Sequence, residues 1–169
     1  MGSAPHIHLI CGATGAGKTT YAIKQAETLP GVRFSIDEWM NTLFWMDAPA
    51  GQDGSWAMER VARSITQMRN MMAELARTGV PAIVDAGLTT RADRAGFTDW
   101  ADERGLTCRL HWLDYTPDIR WQRVQGRNAI GGGGTGFEVT RAMFDFMENL
   151  WEPPTKEEMT RHNGVRIGI

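Results

Sequence analysis

The residues Gly12-Ala13-Thr14-Gly15-Ala16-Gly17-Lys18-Thr19 fit the pattern G-x-x-x-x-G-K-[ST] in full. Glycines at these positions let a loop curl so that backbone N–H groups converge on phosphate oxygens. A helix beginning near Lys18 adds the positive end of its dipole. Lys18 is placed to reach the β- and γ-phosphates, and the Thr19 hydroxyl to ligate Mg²⁺. Thr20 completes the nucleotide-binding set. The bland alternative is a glycine-rich turn matching by chance, but the segment has an apolar run before it and a helical pattern after it. The expected ligands are ATP as co-substrate and Mg²⁺.

Binding a triphosphate does not say where its terminal phosphoryl group goes. A transferase needs an acceptor-activating group in line with the γ-phosphate. Asp37 follows a short apolar run and is read as that base, also touching the acceptor; the competing role is N-cap of a helix entering at Glu38. Asp85 ends the run VPAIV and faces the same site, holding Mg²⁺ through water or orienting an arginine; the competing role is a solvated loop aspartate. Arg120, Arg123 and Arg127 recur at three- and four-residue spacing before a glycine run. That pattern suits a lid over 120–137 bringing cations onto the phosphates, with Arg120 a nucleotide contact and Arg123 and Arg127 the catalytic pair. The alternative is a solvated basic face. Trp39, Phe44, Trp45 and Trp56, with Met46 among them, offer aromatic and apolar walls for an acceptor, or else core packing. Arg91 and Arg94 could grip an acceptor or lie on a helix surface.

These groups need elements to hold them. Residues 6–11, 32–36, 80–84 and 107–113 read as strands, with VRIGI at the end a possible fifth. Helical patterns cover 18–29, 55–78, 91–104, 117–127 and 138–151; the best is 55–78, where apolar residues recur every three or four positions before Gly79. Residues 38–54 read as irregular and Gly131–Gly136 as a mobile loop. Strands alternating with helices predict a parallel sheet of about five strands with helices on both faces, the three-layer α/β architecture of P-loop NTPases.

At 169 residues the chain suits one domain. A net charge of −2 argues against a duplex nucleic-acid partner, without excluding nucleic acid altogether. No apolar run approaches the ~20 residues that span a bilayer, and no signal peptide is evident. Cys11 and Cys108 are too few for a disulfide framework and read as buried thiols, so the expected setting is a reducing cytoplasm. The expected partner is a small-molecule acceptor, bound by a monomer or homodimer.

Gly12–Thr20, FSIDEWM (34–40), VDAGLTTRADR (84–94), the R-x-x-x-R-N stretch (123–128) and WEPPTKEEM (151–159) together resemble the small ATP-dependent kinases of the AAA-type domain group. Polynucleotide 5′-kinase, chloramphenicol phosphotransferase and the zeta toxins are related to that group. The resemblance covers nearly the whole chain, although the phosphate loop is its specific part. It implies a parallel five-stranded core, ATP as donor and Asp37 as the residue activating an acceptor hydroxyl. Polynucleotide kinases carry an arginine three residues after that aspartate. Here the position is Met40, which tilts the expectation toward an antibiotic-, sugar- or nucleotide-sugar-like acceptor over a polynucleotide. A non-catalytic ATP-binding module is the reading from another class.

Overall fold

The computed structural model describes residues 6–51, 53–130 and 138–168. The glycine run 131–136 and the far end of the expected lid lie outside them.

Strand β1 (Ile7–Cys11) is buried at every residue, because both of its faces are covered. It lies between β3 (Ala82–Asp85) and β4 (Cys108–Asp114). Strand β2 (Val32–Ser35) adds outside β3, and β5 (Val165–Gly168) outside β4. All four pairings are parallel. The order β2-β3-β1-β4-β5 sends the chain first to one side of β1 and then to the other, which opens a crevice beyond the carboxyl ends of the strands.

Alternation along β1 sorts the two cores. Ile10 joins Ile83 and Leu113 beneath Ala22 of helix α1 (Lys18–Thr28). Ile7, Leu9 and Cys11 face the other way, with Phe34 and Val84. That second face is closed by Met68 and Met72 of α3 (Ser55–Thr78) and by Phe97 and Ala101 of α4 (Arg91–Asp102). Each large apolar side chain buried in this way contributes about 1.5–3 kcal/mol. The expected five-stranded, three-layer α/β fold is present.

Several element boundaries differ from the sequence expectation. Residues 38–54 are not irregular throughout: helix α2 spans Ile36–Leu43, and a 3₁₀ turn covers Trp45–Asp47. Ser35 caps α2 by accepting from the Glu38 N–H, Asp37 and Glu38 favour its first turn, and Ile36 and Met40 bury one side. Strand β3 starts only at Ala82, since the Val80 N–H is taken by the end of α3 and the Pro81 carbonyl by Val32. Helix α5 (Pro117–Ala129) runs two residues further than expected, and α6 (Arg141–Leu150) starts three later, behind a Thr140 cap. Helix α7 (Lys156–Arg161) went unread, although Thr155 and Glu158 form its capping box.

Candidate active site

The phosphate loop leaves β1 and enters α1 through two glycines that need their freedom. Gly15 sits at φ 80°, and a Cβ there would lie 2.5 Å from the Arg120 carbonyl oxygen. Gly17 caps α1 at φ 89°. Among the described residues no side chain caps this helix start, and its first turn holds no acid, so its positive end is open to an anion. Lys18 folds back to donate to the Gly12 and Ala13 carbonyls at 2.8 and 3.3 Å. Burial lowers its pKa, opposed by the carboxylates of Asp85 and Asp37. One turn on, Tyr21 shares a 2.9 Å hydrogen bond with His111 Nδ1, whose Nε2 lies 2.9 Å from His8 Nδ1. This buried chain ties α1 to β1 and β4.

Asp85, the last residue of β3, is buried rather than solvated, with Thr19 of α1 beside it. Burial raises its pKa, while Thr19, Lys18 and Arg33 pull it down and Asp37 pushes it up. Asp37 is exposed and lies in the first turn of α2, past the end of β2. It is not the cap of that helix. Ser35 is. The structure therefore gathers Lys18, Thr19, Asp37 and Asp85 at the carboxyl ends of β1, β2 and β3.

Thr19 bears on the fit of a magnesium ion. Thr19 lies beside Asp85 and favours its ionised form, and its exposed hydroxyl oxygen has lone pairs available to a cation. Among the described residues no group of three or more His, Cys, Asp or Glu could hold a metal. Thr19 and Asp85 thus fit a hard cation that arrives with phosphate oxygens and water as its other ligands.

A family model described as an AAA domain matches residues 7–154. The chain belongs to the AAA domain family. No curated protein matches its sequence. Among solved structures, this AAA domain is similar to a candidate kinase from Chloroflexus aurantiacus J-10-fl, with TM-score 0.73, 18% identity, and 98% of this chain and 89% of that one covered. It is similar to Kti12 of Chaetomium thermophilum in complex with ADP-AlF3, with TM-score 0.68, 12% identity and coverage of 96% and 88%. A third is the APS kinase CysC of Mycobacterium tuberculosis in complex with AMPPNP and APS, with TM-score 0.62, 16% identity and coverage of 99% and 90%. At these identities the likeness is one of fold.

The expected lid arginines of this AAA domain part company. Arg120 is buried: it donates to the Tyr115 carbonyl at 2.9 Å and the Thr14 carbonyl at 3.2 Å, and pairs with Glu148 of α6 at 2.7 Å. It holds the phosphate loop from its protein side, which corrects its expected place on the nucleotide. Arg123 is exposed, stacks on Tyr115 with its guanidinium carbon 4.0 Å from the ring centre, and donates to the Ala16 carbonyl at 3.1 Å. Arg127 is half-buried, and its Nε has no hydrogen-bond partner among the described residues. Asn128 ties the two ends of the glycine segment together through paired bonds to Val139.

On the acceptor side, Trp39 of this AAA domain packs edge-on to Phe34 against the core, so it is chiefly a core residue. Trp45 is exposed, 5.9 Å from Trp56, which in turn carries the Arg60 guanidinium on its face. Arg94 cannot grip a substrate. It is buried, and its guanidinium is spent on Glu158 and the Glu152 carbonyl. Arg91 is exposed and, with Arg94, lines a cavity of about 210 Å³ between α4 and α7 that includes neither Asp37 nor Asp85. Arg33 of β2 also reaches Asp85, signalled in sequence by a lone charge in an apolar strand. The Tyr21–His111–His8 chain has no spacing to announce it.

Proposed function

We propose that this protein is a Mg-ATP-dependent kinase that transfers the γ-phosphoryl group to a hydroxyl of a small molecule. The supporting observation is an exposed carboxylate, Asp37, held beside the half-buried Lys18, the exposed Thr19 and the buried Asp85 at one end of the sheet. In this reading the backbone amides of residues 12–19, with Thr20, bind the triphosphate, and Lys18 steadies its β- and γ-oxygens. Thr19, backed by Asp85, would hold Mg²⁺, which supplies charge neutralisation on the phosphates. Asp37 accepts the proton of the acceptor hydroxyl as that oxygen bonds to the γ-phosphorus. The bond from phosphorus to the β,γ-bridging oxygen breaks, its electron pair leaving with ADP. Arg127, whose Nε has no hydrogen-bond partner among the described residues, would meet the charge that develops, while Arg123 holds the Ala16 carbonyl. Trp45 offers an aromatic wall for an antibiotic-, sugar- or nucleotide-sugar-like acceptor.

A polynucleotide acceptor is the second reading and the disfavoured one. The residue three positions after Asp37 is Met40, which is buried in the core and offers no cation to a nucleic-acid phosphate. The test of the main reading uses Asp37→Asn. The variant should bind ATP within about threefold of wild type and transfer phosphate roughly 10²–10⁴-fold more slowly. A metabolite and antibiotic library searched by mass spectrometry for a gain of one phosphoryl group supplies the acceptor. Transfer by the variant at the wild-type rate would overturn the mechanism. ATP binding with no product across the library would favour a non-catalytic module instead.

A further inference from the structure

Arg33 is the one charged residue of β2, and its side chain is largely buried. A strand against the core is an unfavourable place for a guanidinium unless something holds it. One arm, Nη2, donates to Glu38 in the first turn of α2. Glu38 is exposed, and an ion pair at that surface is too weak to justify the placement. The other arm points inward. Its Nη1 is buried, has no hydrogen-bond partner among the described residues, and lies 3.7 Å from Asp85 Oδ2.

The sheet register explains this reach. Ser35 pairs with Asp85, and Arg33, two residues earlier and paired with Ile83, shares the Ser35 face and approaches Asp85 from two pairs below. Asp85 is therefore addressed from three elements: Thr19 and Lys18 on α1, Asp37 on α2, and Arg33 on β2. Thr19 and Lys18 also have a triphosphate to serve in the proposed reaction. Arg33 does not.

Resting on the nucleotide-binding reading above, we propose that Arg33 is a positioning residue for the metal side of the site. It fixes the Asp85 carboxylate beside Thr19, so that the Thr19 hydroxyl hydrogen turns to Asp85 and the Thr19 oxygen faces the cation. Through Glu38 the same guanidinium sets the distance from Asp85 to the turn that carries Asp37. A planar fork can span both carboxylates, whereas a lysine ammonium satisfies one at a time.

The experiment is calorimetric titration of the full chain with ATP, with and without Mg²⁺, for wild type, Arg33→Met, Arg33→Lys and Glu38→Gln. Outer partners of metal ligands alter metal affinity by about 10–100-fold. Arg33→Met should keep Mg-free ATP affinity within about twofold while the gain from Mg²⁺ shrinks roughly tenfold; Arg33→Lys should recover part of it, and Glu38→Gln should lose less than Arg33→Met. Thermal unfolding of each variant reports folding, and if Arg33→Met does not fold, Arg33→Lys and Arg33→Gln carry the comparison. A magnesium gain unchanged in these variants overturns the inference, as does an equal loss of affinity with and without Mg²⁺. Failure of wild type to bind ATP at all would sink the nucleotide reading and this inference with it. Normal ATP binding with an unmoved gain sinks this inference alone.

Discussion

The buried Tyr21–His111–His8 chain makes a quantitative demand on acid stability. Burial, with His8 and Arg109 adding to it, pushes the His111 pKa from its ordinary 6.5 down to about 3. The fold therefore holds this ring neutral while the unfolded chain protonates it near 6.5. The folded pKa is the depressed one, so stability is full above about pH 6.5 and falls as the pH drops, until the folded ring titrates near 3. Between those limits one extra proton bound on unfolding costs about 1.4 kcal/mol per pH unit, or about 2 kcal/mol between pH 7 and pH 5. With a urea m-value of about 2 kcal/mol/M, the midpoint should fall by about 1 M.

Urea titrations at pH 7, 6 and 5, followed by tryptophan fluorescence, read this directly. Other groups titrate nearby. Burial also lowers His162, which adds to the loss, and raises Asp85, which opposes it. The difference between wild type and His111→Gln removes both. The variant should be less stable at pH 7, because a packed ring is lost, yet its stability should fall with pH less steeply by about 2 kcal/mol over the range. Parallel lines for the two proteins, within about 0.5 kcal/mol, would refute the reasoning.

Two further outcomes follow from the site. Gly15→Ala places a Cβ 2.5 Å from the Arg120 carbonyl oxygen at φ 80°, so the loop must move; ATP affinity should drop at least about tenfold and Tm by about 2–6 °C, and calorimetry showing wild-type affinity would contradict this. Arg94→Met strips the buried partner from Glu158 and should cost about 3–5 kcal/mol in urea unfolding while ATP affinity in the folded protein stays within about twofold; a normal stability would show that Arg94 is not structural.

The sheet was legible because each strand is a short apolar run closed by glycine, proline or aspartate, and parallel strands covered on both faces need nothing subtler. The phosphate loop was legible because its glycines answer a local demand: Gly17 must turn left-handed and Gly15 must let the Arg120 carbonyl pass. Helix α2 was hidden because Ile36 and Met40 give only two buried contacts in eight residues, and the cap that starts it sits in the preceding strand. The arginines were the hardest to place. Spacing put Arg120, Arg123 and Arg127 on one helix face, but which carbonyl or carboxylate each meets depends on α6 and on the loop, far away in sequence. Arg94 shows the same limit: its partner Glu158 is 64 residues on, and no local pattern distinguishes a buried pair from a surface cation.

The arginines beneath the loop shape the amides that would meet a phosphate. Arg120 draws the Thr14 carbonyl toward itself, and Arg123 draws the Ala16 carbonyl. In a trans peptide the N–H points opposite to the C=O, so each pull turns the next amide, Gly15 and Gly17, away from the arginine. Cations that touch no phosphate thereby help aim the donors that do. This view separates loop-shaping from lid action by ligand. Arg120→Met or Arg123→Met should weaken ATP and ADP by the same factor, about tenfold for a lost charge-assisted bond of about 1.5 kcal/mol. An arginine acting from a lid on the γ-phosphate would weaken ATP and spare ADP. Calorimetric titrations with both nucleotides decide it, and an ATP-selective loss at Arg120 would return that residue to the phosphates.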